Sequence, residues 1–490
     1  MGFRPLVKPL SRDGTLSWGE APRARIGDLL FWMQLPEAEE GLLGRSPFDP
    51  EPTLTATGAF VMFADFPSPH IPVPGLSSAL PEFPSVPDPT VSIVIPAWNQ
   101  WEFTLRCLNA ILQNTPEVAY EIIVVDNGST DATAQDLPRI KGIEVIRNST
   151  NRGFAIASNQ GAWAARGRYI LFLNNDTEPL PGWLPPLVQI LDEESGIGVV
   201  GAKLLYPDGS LQHAGVLVGY GNPFPIAPFH VHRGEAPEVA DRRLDLLVVT
   251  GACMLIRASL CREIGGFDEG YLNGYEDVDL CFKVQDAGFG VVFTPKSQLV
   301  HHESLTPGRN DHMDHNCDLL HRRWMARYWE LTRDVRPAQK FEASPPGRVP
   351  LSVIVLSQDS LRTIVACLES LSTQLSGLDQ LLLSDGGSQD CTPLYLSLFA
   401  SDLPGMASVV HGSDGLDRAA KSALWAARHP NAVILPAAFI PPPGFMDRIG
   451  SHLFNTHRGA QVSDVGGGMR FFIGPVKELL ALSSLQVTDC

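Results

Sequence analysis

Residues Tyr169–Thr177 read YILFLNNDT. Tyr169 to Leu173 form an apolar and aromatic run with the length of a strand buried on both faces. The run breaks at Asn174-Asn175-Asp176, three polar residues with no packing reason to be consecutive. An Asn/Asp turn closing the strand is one account. The other is a carboxylate at the carboxyl end of a parallel strand, where α/β sheets bind ligands. With amides beside it, such a carboxylate can hold a hard cation that itself holds a phosphate.

The segments upstream decide between the two. Val91–Ile95 reads as a strand closed by Pro96, and Trp101–Gln113 as a helix with Leu105, Leu108 and Leu112 on one face. Glu121–Val125 is a second strand, ending in Asp126-Asn127-Gly128-Ser129-Thr130-Asp131, and Ile143–Ile146 is a third. Phe154–Arg166 has helical composition and stops at Gly167. This β-α-β-α order predicts an α/β fold with a mostly parallel central sheet and right-handed crossovers. Pro96, Ala97, Asn99, Asp126 and Asp176 then emerge along one edge. Polar strand ends converging on one crevice favour a ligand site over unrelated turns.

Composition narrows the class. The chain has 490 residues, enough for about three domains. Apolar content of 44% and charged content of 19% are those of a globular protein. A net charge of −17 argues against a nucleic-acid partner, which needs basic patches. It does not forbid a phosphate-bearing ligand, because one metal ion reverses the local field. No run of about 18 apolar residues predicts a transmembrane helix, and the first residues lack a secretory core. Eight cysteines show no Cys-x-x-Cys or zinc spacing, so they read as reduced thiols in a cytoplasmic protein.

The succession VSIVIPAWN, EIIVVDNGSTDAT, NRGFAIASNQG, YILFLNNDTEPLPGWL and GYEDVDLCFKVQDAGF resembles the family-two glycosyltransferases over about residues 90 to 335. It is most similar to their rhamnosyltransferase-like members, where YPDGSLQHAG (Tyr206–Gly215) is also typical. The resemblance implies the A-type nucleotide-diphosphate-sugar transferase fold, a divalent cation (Mn²⁺ or Mg²⁺) and an inverting single displacement. The substrates it implies are a nucleotide-diphosphate sugar donor and a glycan, lipid-linked or protein hydroxyl acceptor. Rhamnose is one candidate sugar, and uridine-linked sugars are others.

Roles follow position by position. Asp126 would accept from a pyrimidine ring N–H, and Asn127 shares its loop; both also suit a turn or a helix cap. Pro96, Ala97 and Asn99 would line the donor from the first strand. Asn151, Gly153 and Phe154 open a helix, with Asn159 further along it. A helix amino end offers free N–H groups to a ligand, although Gly153 can equally serve backbone conformation alone. Asp176 stands last in the metal-binding Asp-x-Asp, with Asn174 in place of the first aspartate and Asn175 between. One carboxylate can suffice for Mg²⁺ beside substrate phosphates and water, and imidazole suits Mn²⁺ better. The resemblance implies a histidine as further ligand, and His301 is the one expected; alternation would turn His302 the other way. Glu276 and Asp277 open a helix whose dipole suits acidic residues in any case. The resemblance makes Asp277 the base for the acceptor hydroxyl, with Glu276 orienting the acceptor and Asp279 supporting from behind. Gly251 and Ala252 would leave room for the sugar.

Two further readings concern the remainder. Asp318–Arg333 mixes arginines with Trp324, Tyr328 and Trp329, which suits packing, or peripheral contact with the inner face of a membrane. After the Pro-rich break the chain starts over: LSVIVLSQDS repeats VSIVIPAWNQ, and LLLSDGGSQD repeats IVVDNGSTDA. Asp385 aligns with Asp126, but Pro436-Ala437-Ala438 replace Asn174-Asn175-Asp176, and no Glu-Asp helix follows. The expected division is an accessory region at 1–88 with a Pro-rich linker, a catalytic domain at 89–340, and a degenerate, inactive copy at 349–490. Docking, homo-oligomer formation or acceptor presentation would suit the copy. A non-catalytic nucleotide-sugar-binding scaffold is the rival reading of the whole.

Overall fold

The computed structural model describes residues 4–5, 80–221, 224–303, 311–331, 348–411, 415–449, 461–464 and 470–482. The apolar runs 26–33 and 59–66 lie outside them. Strand β1 is the pair Arg4–Pro5. Continuous runs of Val, Ile and Leu then form β2 (Val91–Ala97) and β3 (Tyr120–Asp126), followed by β4 (Glu144–Arg147) and β5 (Tyr169–Leu173). They lie in the order β4-β3-β2-β5, all parallel. Helices α1 (Trp101–Asn114) and α2 (Phe154–Ala164) supply crossovers.

Short β6 (Thr177–Pro179), helix α3 (Leu184–Glu193) and β7 (Ile197–Leu205) follow, then β8 (Leu211–His213), β9 (Val216–Gly221), β10 (Phe224–His230) and β11 (Leu244–Leu246). β12 (Cys253–Arg257) runs antiparallel between β5 and β7, and β13 (Gly290–His301) lies parallel to β7. The sheet is therefore parallel over its first four strands and mixed beyond β5. Helix α4 (Glu276–Asp286) precedes β13 and α5 (Met313–Leu331) follows it.

Helix α1 buries Thr104, Cys107, Leu108 and Ile111, a face rotated from the expected Leu105–Leu108–Leu112 stripe. The cause is β6, which side-chain periodicity does not reveal. Cys107 Sγ lies 3.8 Å from Thr177 Oγ1, and Asn114 Nδ2 donates to Pro179 O at 2.8 Å. Helix α2 lies so close to the sheet that a Cβ on Gly161 would fall 2.3 Å from Val94 Cγ1. Alanine is a better helix former by about 1 kcal/mol, but overpacking a tight core costs about 1–3 kcal/mol. Val94 is β-branched and sits in a central strand, so it cannot yield. Gly161→Ala should therefore lower the urea midpoint, and a raised midpoint would contradict this packing.

The aromatics of α5 are inside: Trp324, Tyr328 and Trp329 are all buried. They pack on the protein and are not presented to a bilayer. Among the described residues no helix is long and apolar enough to cross a membrane. Seven cysteines are described, all buried free thiols.

A second sheet contains β14 (Ser352–Ser357), β15 (Gln380–Asp385), β16 (Ala407–His411), β17 (Asn431–Pro436), β18 (Gln461–Asp464) and β19 (Arg470–Pro475). Its order is β16-β15-β14-β17-β19-β18, parallel through β17 and antiparallel at β19. The first five positions repeat the order and senses of β4-β3-β2-β5-β12. Helices α6 (Leu361–Ser372), α7 (Thr392–Ser401) and α8 (Leu416–Trp425) flank it. One apolar cluster runs through both units, from Phe172 and Phe267 to Tyr395 and Phe399.

Candidate active site

The carboxyl edge of the first sheet gathers most of the expected residues. Asp126 ends β3 and is buried. Its Oδ1 accepts from Ser129 N–H at 2.8 Å, and its Oδ2 pairs with Arg147 at the end of β4. Arg147 also donates to Ser129 O at 3.1 Å. Asn99 clasps the same loop, taking Thr130 N–H on Oδ1 at 2.8 Å while its own N–H donates to Ser129 Oγ at 2.7 Å. Ala97 O accepts Asn127 N–H at 2.7 Å, and Pro96 sits one residue earlier in β2.

Two expected donor contacts are instead spent on the scaffold. The Asn127 amide donates to Asn151 Oδ1 and Gly153 O, and accepts from Arg152 N–H and Asn148 Nδ2. That fills its hydrogen-bonding capacity. Asn159, buried, accepts from Phe267 N–H and donates to Phe267 O at 2.9 Å each. It fastens α2 to the 266–269 turn and offers little to a ligand. At the start of α2, Phe154 N–H donates to Asn273 Oδ1 at 3.1 Å, so this helix end is already engaged.

Asp176 and His301, expected as a metal-ligand pair, lie close together. Asp176 Oδ1 lies 3.1 Å from His301 Nε2, and Asn174 Nδ2 is 3.4 Å from the same nitrogen. His301 Nδ1 lies 2.6 Å from Gln212 Oε1. Gln212 Nε2 donates to His301 O at 3.4 Å and to Glu303 Oε2 at 3.2 Å, which assigns the oxygen of that amide to the imidazole. Nδ1 therefore donates to Gln212, and Nε2 is the ring atom that faces the carboxylate. An imidazole nitrogen and a carboxylate oxygen in that relation suit a cation between them, since cis ligands about 2.1 Å from an octahedral ion stand about 3 Å apart. Substrate phosphates and water would complete the shell. No group of three or more His, Cys, Asp or Glu that could hold a metal occurs among the described residues. His302 points away, to Glu178 at 2.7 Å, and its hydrogen bond holds that carboxyl below the usual range. Asn175 bonds Thr104 Oγ1 at 2.9 Å, away from the pair.

Asp277 joins the same rim through two adjacent residues. Its Oδ2 accepts from Gly251 N–H at 2.9 Å, while Ala252 O accepts from Asn174 N–H at 3.0 Å. Glu276 turns back to accept from Gly274 N–H at 2.5 Å, which shapes the entry to α4 rather than presenting a second carboxylate. Asp279 is fully buried, accepts from Trp324 Nε1 at 2.7 Å, and has its carboxyl pushed up by burial.

Gln212, Arg147 and Asn273 carry site geometry that residue-by-residue reading missed. Gln212 lay within the quoted YPDGSLQHAG segment with no role attached; only the fold brings it to His301. Gln212→Leu should weaken Mn²⁺ binding by about 10–100-fold, the usual effect of removing a partner behind a metal ligand, whereas Gln212→Glu keeps an acceptor for Nδ1–H and should weaken it less. Titration calorimetry with nucleotide diphosphate present checks both.

Four parallel strands, a reversed fifth and polar residues at their carboxyl ends define an A-type nucleotide-diphosphate-sugar transferase fold. Residues 92–265 match the model for glycosyl transferase family 2. It is 35% identical over 272 residues to uncharacterized protein y4gI of Sinorhizobium fredii, covering 52% of this chain and 29% of that protein. It is 33% identical to the O-antigen biosynthesis protein RfbC of Myxococcus xanthus, covering 44% of this chain and 18% of that protein. It is 28% identical to the N-acetylglucosaminyl-diphospho-decaprenol L-rhamnosyltransferase of Mycobacterium tuberculosis, covering 41% of this chain and 72% of that protein. The chain thus spans under a third of the length of the first two.

Proposed function

We propose that residues 89–340 transfer a sugar, with rhamnose the leading candidate, from a nucleotide-diphosphate donor to a hydroxyl of a glycan or lipid-linked acceptor, with inversion at the anomeric carbon. The supporting observation is the shared rim: neighbouring Gly251 and Ala252 tie Asp277 and Asn174 together, with Asp176 and His301 alongside. Asp126, with Arg147, offers the base end of the donor site. Asp176 and His301 would hold Mn²⁺ or Mg²⁺, and the ion when bound supplies positive charge to offset the departing diphosphate. Asp277, half-buried and oriented by Gly251 N–H, accepts the acceptor hydroxyl proton, worth roughly 10²–10⁴-fold. The names of the rhamnosyltransferase and O-antigen relatives support polysaccharide assembly as the setting, on the cytoplasmic side where nucleotide sugars are made.

Residues 349–490 are read as a second, inactive copy, supported by the repeated strand order and by Pro436-Ala437-Ala438 at the metal position. The test incubates the full chain with a panel of thymidine- and uridine-diphosphate sugars, with and without Mn²⁺, and measures released nucleotide diphosphate. Metal-dependent release with one donor is the expected result. Tight donor binding with no release under any condition would make the protein a scaffold.

A further inference from the structure

Helix α5 lies between the two α/β units and bonds to both. Toward the first it grips the segment that leads into α4. Buried Asn316 accepts from Leu272 N–H at 2.9 Å and donates to Leu272 O at 3.0 Å. His315 Nε2 lies 3.0 Å from Gly270 O, Arg323 pairs with Asp268, and Trp324 bonds Asp279. Toward the second unit, Cys391 Sγ lies 3.4 Å from Asp318 Oδ1, Arg322 donates to Gln389 O, and Trp329 meets the Tyr395 ring edge-on at 5.7 Å.

The gripped segment needs such support. Asn273, Gly274 and Tyr275 all have positive φ, at 56°, 149° and 67°. Non-glycine residues hold this conformation only where their surroundings enforce it. Tyr275 bonds Cys317 on α5, a further tie between that helix and the turn. Asp277 follows two residues after Tyr275, in the first turn of α4.

We propose that the second α/β unit, residues 348–482, is an internal brace that holds the 270–277 turn, and with it Asp277, in place through α5. The role of Asp277 in this inference rests on the function proposed above. A unit that keeps the strand order but has Pro436-Ala437-Ala438 at the metal position suits a task that needs a surface and no chemistry. The Arg362–Asp314 pair is mostly exposed and contributes little; the apolar contact around Trp329 and Tyr395, with the Cys391 edge, carries the coupling.

The test uses the full chain. Cys391→Glu sets a carboxylate against Asp318, while Cys391→Ser keeps the hydrogen bond. The expected result for Cys391→Glu is faster hydrogen exchange in peptides spanning 270–277 and a transfer kcat lowered by about 3- to 30-fold. Donor KM and nucleotide-diphosphate affinity should stay at the wild-type value, and Cys391→Ser should behave as wild type. Asn316→Leu, which cuts α5 from the turn without touching the second unit, should reproduce both changes. Wild-type exchange at 270–277 in Asn316→Leu overturns the proposal, as does wild-type exchange there in Cys391→Glu once peptides at 389–396 show that the interface has opened. If the wild-type protein transfers no sugar from any donor, the functional reading fails, and the exchange measurements alone decide the brace.

Discussion

Asp277→Asn should lower transfer kcat by roughly 10²–10⁴-fold, with little change in nucleotide-diphosphate affinity. The substitution keeps volume and leaves an oxygen that can still accept from Gly251 N–H, so the turn and α4 should stay in place. What it removes is basicity. An alcohol is a weak nucleophile at neutral pH, and a positioned carboxylate takes its proton as the new bond forms. Asp277 lies in the first turn of α4, where the helix dipole favours negative charge. The measurement is steady-state transfer alongside nucleotide titration. Full turnover in Asp277→Asn would remove this carboxylate as the proton acceptor, and loss of nucleotide binding would mean that the change had disturbed the fold.

Asp176→Ala should abolish the stimulation by Mn²⁺ and weaken binding of the ion in the presence of nucleotide diphosphate by more than about 100-fold. The bound follows from a comparison: removing a partner behind a metal ligand already costs about 10–100-fold, and here one of the two proposed protein ligands is lost. Asn174 cannot replace it, since its amide nitrogen is the atom that faces His301. Calorimetry and Mn²⁺-dependent product release both read the effect. If Asp176→Ala bound Mn²⁺ as the wild type does, the pair formed by Asp176 and His301 would not be the metal site.

Particular residues show how far a linear reading reaches. The places of Asp126, Asp176, Asp277 and His301 were legible because each stands at the end of an apolar run or the start of a helix, and element ends are where side chains leave the core. That His301 and His302 point in opposite directions was legible too, because alternation along a strand is strictly local. Asn127 and Asn159 were misassigned for a physical reason. An asparagine in a glycine-rich loop looks the same whether its amide meets a ligand or closes a turn, and only its neighbours in space decide. The partners concerned are Asn148, Asn151 and Gly153 in one case and Phe267 in the other. Glu276 likewise turned back onto Gly274.

By itself the sequence determined the element order from β2 to β5, the parallel sense of those strands and the identity of the charged residues at their edge. Those depend on apolar periodicity and on breaks in it, which are properties of neighbours along the chain. Tertiary structure alone decided the rest: the reversal of β12 in mid-sheet, the phase of α1 against β6, Gln212 behind His301, and α5 between two units. Each is a contact between segments far apart in the chain, set by which surfaces can be buried together, and no local pattern records it.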